Sequence, residues 1–347
     1  MKPVAPLPRI VWICCLLSVL LTGCARGAAA STATASPIAP KTLPLIGVSL
    51  PNVASTDVTL IQKALADNQR KNDVSLIYRS ADGTAEKQTS DIADLVRLDI
   101  VGLIVMPVDA TLVGPPIAAA RAKGIPVVAI DTPPVGTAVD ALVRPDERAS
   151  GREAAKYVTD KAAVKGPTLI LAPNDALGAD FAAGVQEGLA KLPAAVQTAV
   201  IAGTSDVPGS VIAAVREQEI RTIIAGDDAL ALAAVATLKG AGLLDGVEVI
   251  GHGGTRDAIR AVLDGTLTGD VDRRPQDLGV AAVGDIAALV RKKQPSSDLI
   301  VRINGIDISV TAVPGRLITR DNARDMQERW PDLIYTLPAT PTPAAKP

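Results

Sequence analysis

Cysteine, histidine and aromatic residues are scarce in this chain of 347 residues, and each scarcity excludes a class of chemistry. The three cysteines lie within the first 24 residues, and His252 is the only histidine. The rest of the chain therefore has no thiols for a disulfide framework, for a nucleophile or for a typical zinc site. It also has no GxSxG elbow and no GxxxxGK[ST] loop, the signatures of many hydrolases and ATPases. We expect a protein that is not an enzyme and that needs no cofactor or metal.

The charge and the hydrophobic composition favour an α/β protein without a nucleic-acid partner. The formal net charge is -2, and no dense basic cluster provides a field that attracts phosphate backbones. Aromatic residues make up only 2% of the chain while hydrophobic residues make up 48%, so Val, Ile, Leu and Ala must build the core. These residues are typical of buried parallel strands and of the helices that cover them.

The first 24 residues have the organisation of a bacterial secretory signal. Lys2 and Arg9 precede an apolar run over residues 10–21, which is short for a membrane span. The run leads into Leu21-Thr22-Gly23-Cys24, which resembles the lipobox of bacterial lipoproteins. The resemblance implies removal of residues 1–23 and acyl chains such as palmitate on Cys24. They would anchor the exported protein at the cell membrane, facing the periplasm or the cell exterior. An ordinary signal peptide or anchor helix with an incidental cysteine is the alternative.

Two segments have a composition that cannot form a core. Residues 24–44 and 336–347 consist mainly of Ala, Ser, Thr and Pro without apolar periodicity. We expect a disordered tether at the first position and a loose tail at the second.

The body of the chain alternates short apolar runs with amphipathic segments. Runs that predict strands lie at 45–50, 74–78, 100–106, 125–131, 168–172, 196–202, 221–226 and 247–251. The segments between most of them have a helical pattern, which predicts βαβ units with parallel sheets in two doubly wound halves. Asn304-Gly305 predicts the turn of a late β-hairpin. Ligands of such sheets bind beyond the carboxyl ends of the strands, so the loops after these runs are the first candidate sites.

The order of these segments, from about 45 to 325, resembles the ribose-type family of periplasmic sugar-binding proteins, whose fold also occurs in the effector domains of LacI-type repressors. The stretches that carry the resemblance are LVRLDIVGLIVMPVDA (95–110), AKGIPVVAIDT (122–132), TIIAGDDALALAAVATLKGAG (222–242), VEVIGHGGTRDAI (247–259) and LDGTLTGDVDRRPQDLG (263–279). No helix-turn-helix precedes the body, so a repressor is not expected.

The resemblance implies two lobes that close on a ligand by hinge bending. Three crossings between the lobes are expected near 143–145, 273–275 and 313–314. The N-terminal lobe would comprise residues 45–144 plus 275–313. The C-terminal lobe would comprise residues 145–274 plus 314–330.

The resemblance also implies ligand-binding positions, several of which carry unusual residues here. Asn52 follows the first strand without the aromatic rings of the family, and Asp131 is followed by Thr132 where the family often has arginine. Another arginine of the family is replaced by Val185. In the second lobe, the family's Asn-Asp, Phe-Asp and Gln become Asp227-Asp228, His252-Gly253 and Arg273. The candidate ligand-binding residues are Asn52, Asp131, Thr132, Ser205, Asp227, His252 and Arg273.

Several candidates have a structural alternative. Asp131 would also suit the loop after its strand, and His252 would also suit a packed position. We expect Asp228 to cap the following helix and Asp227 to face the cleft. Arg273 has Asp270 and Asp272 as alternative partners. With Asp131, Asp227 and Arg273 in one cleft, a ligand with an amine and an anionic or polyhydroxyl part is also a hypothesis.

The resulting interpretation is a monomeric receptor that captures a small polar solute, a sugar or a sugar-like molecule, and delivers it to the membrane subunits of an ABC importer. Two alternatives stay open. One is a ligand sensor without transport, and the other is an envelope interaction protein that kept the fold and lost the pocket.

Overall fold

The computed structural model describes residues 42–160, 166–190, 196–201, 203–297, 299–303 and 305–334. The predicted signal peptide, Cys24, the tether up to residue 41 and the predicted tail at 336–347 lie outside the described residues. No helix in the described ranges is long and apolar enough to cross a membrane.

The described residues form thirteen strands and ten α-helices. The strands are β1 (Leu45–Leu50), β2 (Ser75–Ser80), β3 (Gly102–Val105), β4 (Val127–Ile130), β5 (Ala141–Asp146), β6 (Thr168–Pro173), β7 (Val196–Ile201), β8 (Thr222–Ala225), β9 (Glu248–Gly253), β10 (Gly269–Asp272), β11 (Leu299–Ile303), β12 (Ile306–Pro314) and β13 (Arg316–Ile318). The helices are α1 (Thr56–Asn68), α2 (Ala85–Arg97), α3 (Gly114–Ala122), α4 (Glu147–Asp160), α5 (Ala176–Leu189), α6 (Val207–Glu217), α7 (Asp228–Gly240), α8 (Arg256–Asp264), α9 (Pro275–Val290) and α10 (Pro331–Ile334). Two short 3-10 helices lie at Thr204–Asp206 and Ala323–Met326.

The first sheet has the strand order β11-β12-β5-β4-β3-β1-β2. The strands from β12 to β2 pair in parallel, and β11 joins β12 as an antiparallel hairpin. Gly305, in the turn of this hairpin, has a φ of 80°. Alternate strand residues point to opposite faces, so Val48 and Ile104 pack with α1 and α9 while Leu103 and Val127 pack with α2 and α3. Helices on both faces explain why the central strands β1, β3 and β4 are apolar along most of their length.

The second sheet has the strand order β13-β10-β9-β8-β6-β7. All of its neighbours pair in parallel except β13, which is antiparallel to β10. One face packs against α6, α7 and α8, and the other face packs against α4 and α5. The predicted fold class, two doubly wound parallel-sheet lobes, is therefore confirmed.

The chain passes between the two sheets three times. It leaves the first sheet where β5 ends and α4 begins, returns between β10 and α9, and crosses again between β12 and β13. We call the first sheet with α1, α2, α3 and α9 the first lobe, and the second sheet with α4 to α8 the second lobe. The sequence analysis did not predict β5, β10 and β13 as strands.

Glycines allow the backbones of α4 and α5 to contact each other directly. A Cβ at Gly184 would collide with the carbonyl oxygen of Arg148, and one at Gly151 would collide with that of Phe181. Gly284, in the middle of α9, has no atom within 4 Å of the position of a Cβ.

We predict that Gly184→Ala lowers the free energy of unfolding by about 2 kcal/mol, because the added methyl group overpacks the contact between the helices. The matched control Gly284→Ala should raise it by up to about 1 kcal/mol, since alanine is the better helix former. Urea denaturation of both variants measures the two values, and equal effects at the two sites would contradict the close contact.

Candidate functional site

The seven predicted ligand-binding residues lie at or next to the carboxyl ends of strands. Asn52 follows β1, and Asp131 and Thr132 follow β4. On the second sheet, Ser205 follows β7, Asp227 follows β8, Arg273 follows β10, and His252 lies near the end of β9. The carboxyl ends of parallel strands form one edge of each sheet, where helix N-termini also point. The candidate site is therefore the pair of edges that the crossings bring together.

On the first lobe, the candidates are exposed. Asp131 has a φ of 69°, and its backbone N–H donates to the Val143 carbonyl oxygen at 2.7 Å. Its carboxylate makes no hydrogen bond or ion pair with any described residue. The side chain of Asn52 accepts a hydrogen bond from the Ala54 N–H at 2.9 Å, which orders the loop after β1. Asp131 is thus the acceptor on this lobe that is open to a ligand.

On the second lobe, the centre of the site is a buried carboxylate that the sequence analysis missed. Glu147 is the first residue of α4 and is only 5% exposed. Its Oε1 accepts from the guanidinium of Arg273 at 2.8 Å, and its Oε2 lies 3.3 Å from His252 Nε2. Arg273 thus pairs with Glu147, and not with the predicted alternatives Asp270 and Asp272. The network links the first and second crossings.

The electrostatics of Glu147 reflect its burial. Removal from water raises the pKa of this carboxyl, the neighbouring Arg273 lowers it, and the charge of Asp131 raises it again. The loop after β4 lies close to the start of α4, because the Asp131 N–H donates to Val143 of β5, four residues before Glu147. The structure therefore brings Asp131, Glu147 and Arg273 into one region between the lobes.

His252 lies inside the second lobe because β9 extends to Gly253, two residues beyond the predicted strand. Its ring is 1% exposed and stacks on Phe181 with 4.6 Å between the ring centroids. Nδ1 lies 3.0 Å from the Gly226 carbonyl oxygen, and a carbonyl can only accept, so Nδ1 carries the hydrogen. Burial, followed by the charge of Arg273, lowers the pKa of His252 to about 4, so the imidazole is neutral near pH 7.

The adjacent acids Asp227 and Asp228 differ from their predicted roles, because Asp227 caps the helix and Asp228 is buried. Asp227 is the N-cap of α7, since its carboxylate accepts from the Leu230 N–H at 2.7 Å. Asp228 is buried, and its Oδ2 accepts from the Thr255 N–H at 2.8 Å. The prediction that Asp228 caps the helix is wrong, because the cap residue must precede the helix and α7 already includes residue 228.

Asp228 and Asp270 form a buried pair of acids. Their free oxygens converge on Gly251, where a Cβ would lie 2.9 Å from Asp228 Oδ1 and 2.6 Å from Asp270 Oδ2. Burial, and then the charge of Asp228, raises the pKa of Asp270 well above its usual range. The other oxygen of Asp270 accepts from the Gly254 N–H at 2.8 Å. The pair therefore fixes the loop after β9.

The remaining candidates are surface groups. Thr132 and Ser205 are exposed, and Ser205 lies in the short 3-10 helix after β7. The described residues include no group of three or more His, Cys, Asp or Glu side chains placed to hold a metal ion. The arrangement supplies carboxylate and hydroxyl groups that can exchange hydrogen bonds with a polar ligand, and it does not present an activated nucleophile.

The comparison with protein families agrees with this geometry. Residues 46–294 match the model of the periplasmic binding protein domain. The chain belongs to this family, whose members are solute-binding proteins and not enzymes. The match begins in β1 and ends just after α9, so it includes the strands from β1 to β10.

Curated relatives and solved structures lead to the same family. The ribose import binding protein of Bacillus subtilis is 26% identical over 68% of this chain and 78% of its own length. The xylitol-binding protein of Mycolicibacterium smegmatis is 28% identical over 65% of this chain and 66% of its own length. The structure of a periplasmic ribose ABC transporter protein from Conexibacter woesei has a TM-score of 0.68 at 16% identity, and covers 82% of this chain and 95% of that one. At this identity the structural likeness concerns the fold alone.

We predict that His252 makes the stability of the protein depend on pH between about 6.5 and 4. The unfolded chain binds a proton at His252 below pH 6.5, whereas the folded chain does so only near pH 4, so stability falls as the pH is lowered through this window. The effect at pH 5 is about 2 kcal/mol. His252→Asn, which keeps an N–H donor for Gly226, should lose that much less stability than the wild type between pH 7.5 and pH 5. Urea denaturation at the two pH values measures these losses. Equal losses in free energy of unfolding for the variant and the wild type would contradict a neutral, buried imidazole.

Proposed function

We propose that this protein captures a sugar or polyol between its two lobes and delivers it to the membrane subunits of an ABC importer. The observation that carries the proposal is the position of exposed Asp131 beside the end of β5, the strand that leads directly to the Glu147–Arg273 pair of the other lobe. Carboxylates at this position accept hydrogen bonds from hydroxyl groups, and charge-assisted bonds of this kind are stronger than neutral ones.

The chemistry of the relatives supports a polyhydroxyl ligand. Two of them are named for ribose and for xylitol. In this chain the site would use Asn52, Asp131 and Thr132 on the first lobe and Ser205, Asp227 and Arg273 on the second, with His252 behind them. Arg273 is engaged by Glu147 and Asp131 has no described cation partner, which favours a ligand rich in hydrogen-bond donors over an anion.

Ligand capture in this proposal requires the lobes to move relative to each other. The units would be residues 45–144 plus 275–313 and residues 145–274 plus 314–330, bending at the three crossings. Short connections suffice, because a few residues can absorb the change in backbone angles. The protein would act as a monomer, because each chain contributes both sides of the cleft.

A thermal-shift screen of the chain from residue 43 onward, against pentoses, hexoses, pentitols, cyclitols, sugar acids, amino sugars and amino acids, tests the proposal. A ligand at about 100 times its dissociation constant adds about 2.7 kcal/mol of stability. A rise in melting temperature with sugars or polyols is expected. No rise with any member of the panel would count against transport and in favour of an envelope interaction protein without a working pocket.

We predict that Asp131→Asn weakens binding of the best solute from the screen about tenfold, because the loss of one charge-assisted hydrogen bond costs about 1.4 kcal/mol or more. Asp99→Asn is a matched control. Asp99 is also an exposed aspartate with positive φ on the first lobe, but it precedes β3 and so lies at the opposite edge of the sheet. Isothermal titration calorimetry measures both affinities. Unchanged binding by Asp131→Asn would place the site elsewhere.

The proposal includes an exported protein that is anchored through acyl chains on Cys24. We predict that Cys24→Ser moves the protein from the detergent phase to the aqueous phase in a phase-partition assay on cells that process lipoproteins, since the serine cannot be acylated. Cys15→Ser, in the apolar run of the signal, is the control and should partition like the wild type. Retention of Cys24→Ser in the detergent phase would contradict lipidation at this residue.

A further inference from the structure

The last described residues of the chain pack on the second lobe. We call residues 323–334 the C-terminal segment. Ala323, Met326, Leu333 and Ile334 form a cluster with Ile259 and Ile318 of the second lobe. The indole Nε1 of Trp330 donates to the Gly254 carbonyl oxygen at 2.8 Å. The segment lies beyond the part of the chain that matches the family model, and these contacts fix it to the loop after β9.

The same segment reaches across to the first lobe through Arg329. This side chain is 7% exposed. One guanidinium nitrogen bonds to Asp272 at the end of β10 and donates to the Gly253 carbonyl oxygen at 3.1 Å. The other nitrogen lies 2.6 Å from Asp57 Oδ1, in the first turn of α1. Arg329 therefore has one carboxylate partner on each lobe.

A second ion pair connects the same two elements. Glu328 Oε1 lies 3.1 Å from Lys63 Nζ, about two turns further along α1. This pair is exposed, so it contributes little by itself. It runs parallel to the Arg329–Asp57 pair and fixes the orientation of the segment along the helix.

Arg329 is buried while its partner Asp57 is 43% exposed, so water screens this pair less than it screens the exposed Glu328–Lys63 pair. Burial raises the pKa of Asp272, and the neighbouring Arg329 lowers it again, which shows that the guanidinium compensates a desolvated carboxyl. The Nε of Arg329 is buried without a hydrogen-bond partner. If the lobes separate, Arg329 loses Asp57 and keeps a single carboxylate, so the present arrangement of the lobes is favoured.

We propose that the C-terminal segment is a latch, in which Arg329–Asp57 and Glu328–Lys63 hold the two lobes in the arrangement seen in the structure and so set how often the lobes move apart. The inference rests on the lobe motion of the proposed function, and it does not depend on the identity of the solute.

The test is the distance between the lobes in the absence of any solute. Two spin labels are placed at Glu86→Cys on α2 and Gly209→Cys on α6, which are exposed positions near the facing edges of the two sheets. The full chain carries Cys14→Ser, Cys15→Ser and Cys24→Ser, so that only the two introduced thiols react. Pulsed electron resonance then gives the distribution of distances, and melting curves verify that each variant is folded.

The parent protein should show a population at the distance seen in the structure. Asp57→Ala should reduce the ratio of this population to the longer distances about fivefold, the effect of losing roughly one ion pair. Asp332→Ala is the matched control, because Asp332 belongs to the same segment but pairs with Arg256 inside the second lobe. It should leave the distribution unchanged.

Three results would overturn the latch: a parent without the short distance, an Asp57→Ala variant that matches the parent, or an equal shift by Asp332→Ala. The thermal-shift screen reports on solute binding separately. A shift in the distances with Asp57→Ala and no thermal shift with any solute would support the latch but not solute capture. A thermal shift with a solute and unchanged distances with Asp57→Ala would support solute capture but not the latch.

Discussion

The buried carboxylate of Glu147 is the group on which the region between the lobes depends. It lies directly after the first crossing, and its partner Arg273 lies at the second crossing. Arg273 is the cation partner of this buried carboxylate, so loss of Arg273 would leave the charge of Glu147 uncompensated. The pair therefore ties two of the three connections together on the second lobe.

The two sides of the candidate site differ in character. On the second lobe, Glu147, Asp228, Asp270 and Asp272 are buried acids with partners, and they fix the loops after β8, β9 and β10. On the first lobe, Asn52 and Asp131 are exposed. The acids of the second lobe thus already have partners within the protein, although Asp228 Oδ1 and Asp270 Oδ2 remain without a hydrogen bond from any described donor. In the proposed function, Asp131 of the first lobe would gain a partner when a ligand binds. This asymmetry suits a receptor that first binds a polar solute on one lobe and then closes the other lobe over it.

The sequence predicted the fold better than the site, for physical reasons that particular residues make plain. Strands such as β1 and β6 were predicted because they are buried on both faces and are therefore continuous apolar runs. In contrast, β10 has the sequence GDVD and β5 ends in RPD, so their polar residues resemble a loop. Only pairing with β9 and β4 makes them strands. Glu147 was missed because it lies in the polar stretch DERAS, and nothing local distinguishes a buried glutamate from its exposed neighbours. The cap was assigned to Asp228 instead of Asp227 because a shift of one residue at a helix start decides which of them precedes the helix.

The central claim is that a solute is held between the carboxyl edges of the two sheets. Hydrogen–deuterium exchange of the protein with and without saturating xylitol or ribose tests it most directly, because it reports on both lobes in one experiment. The account predicts slower exchange in residues 131–139 of the first lobe and in residues 226–228 and 253–255 of the second, with no change in the loops at the opposite edges of the sheets. Protection confined to one lobe, or located at the opposite edges, would contradict it.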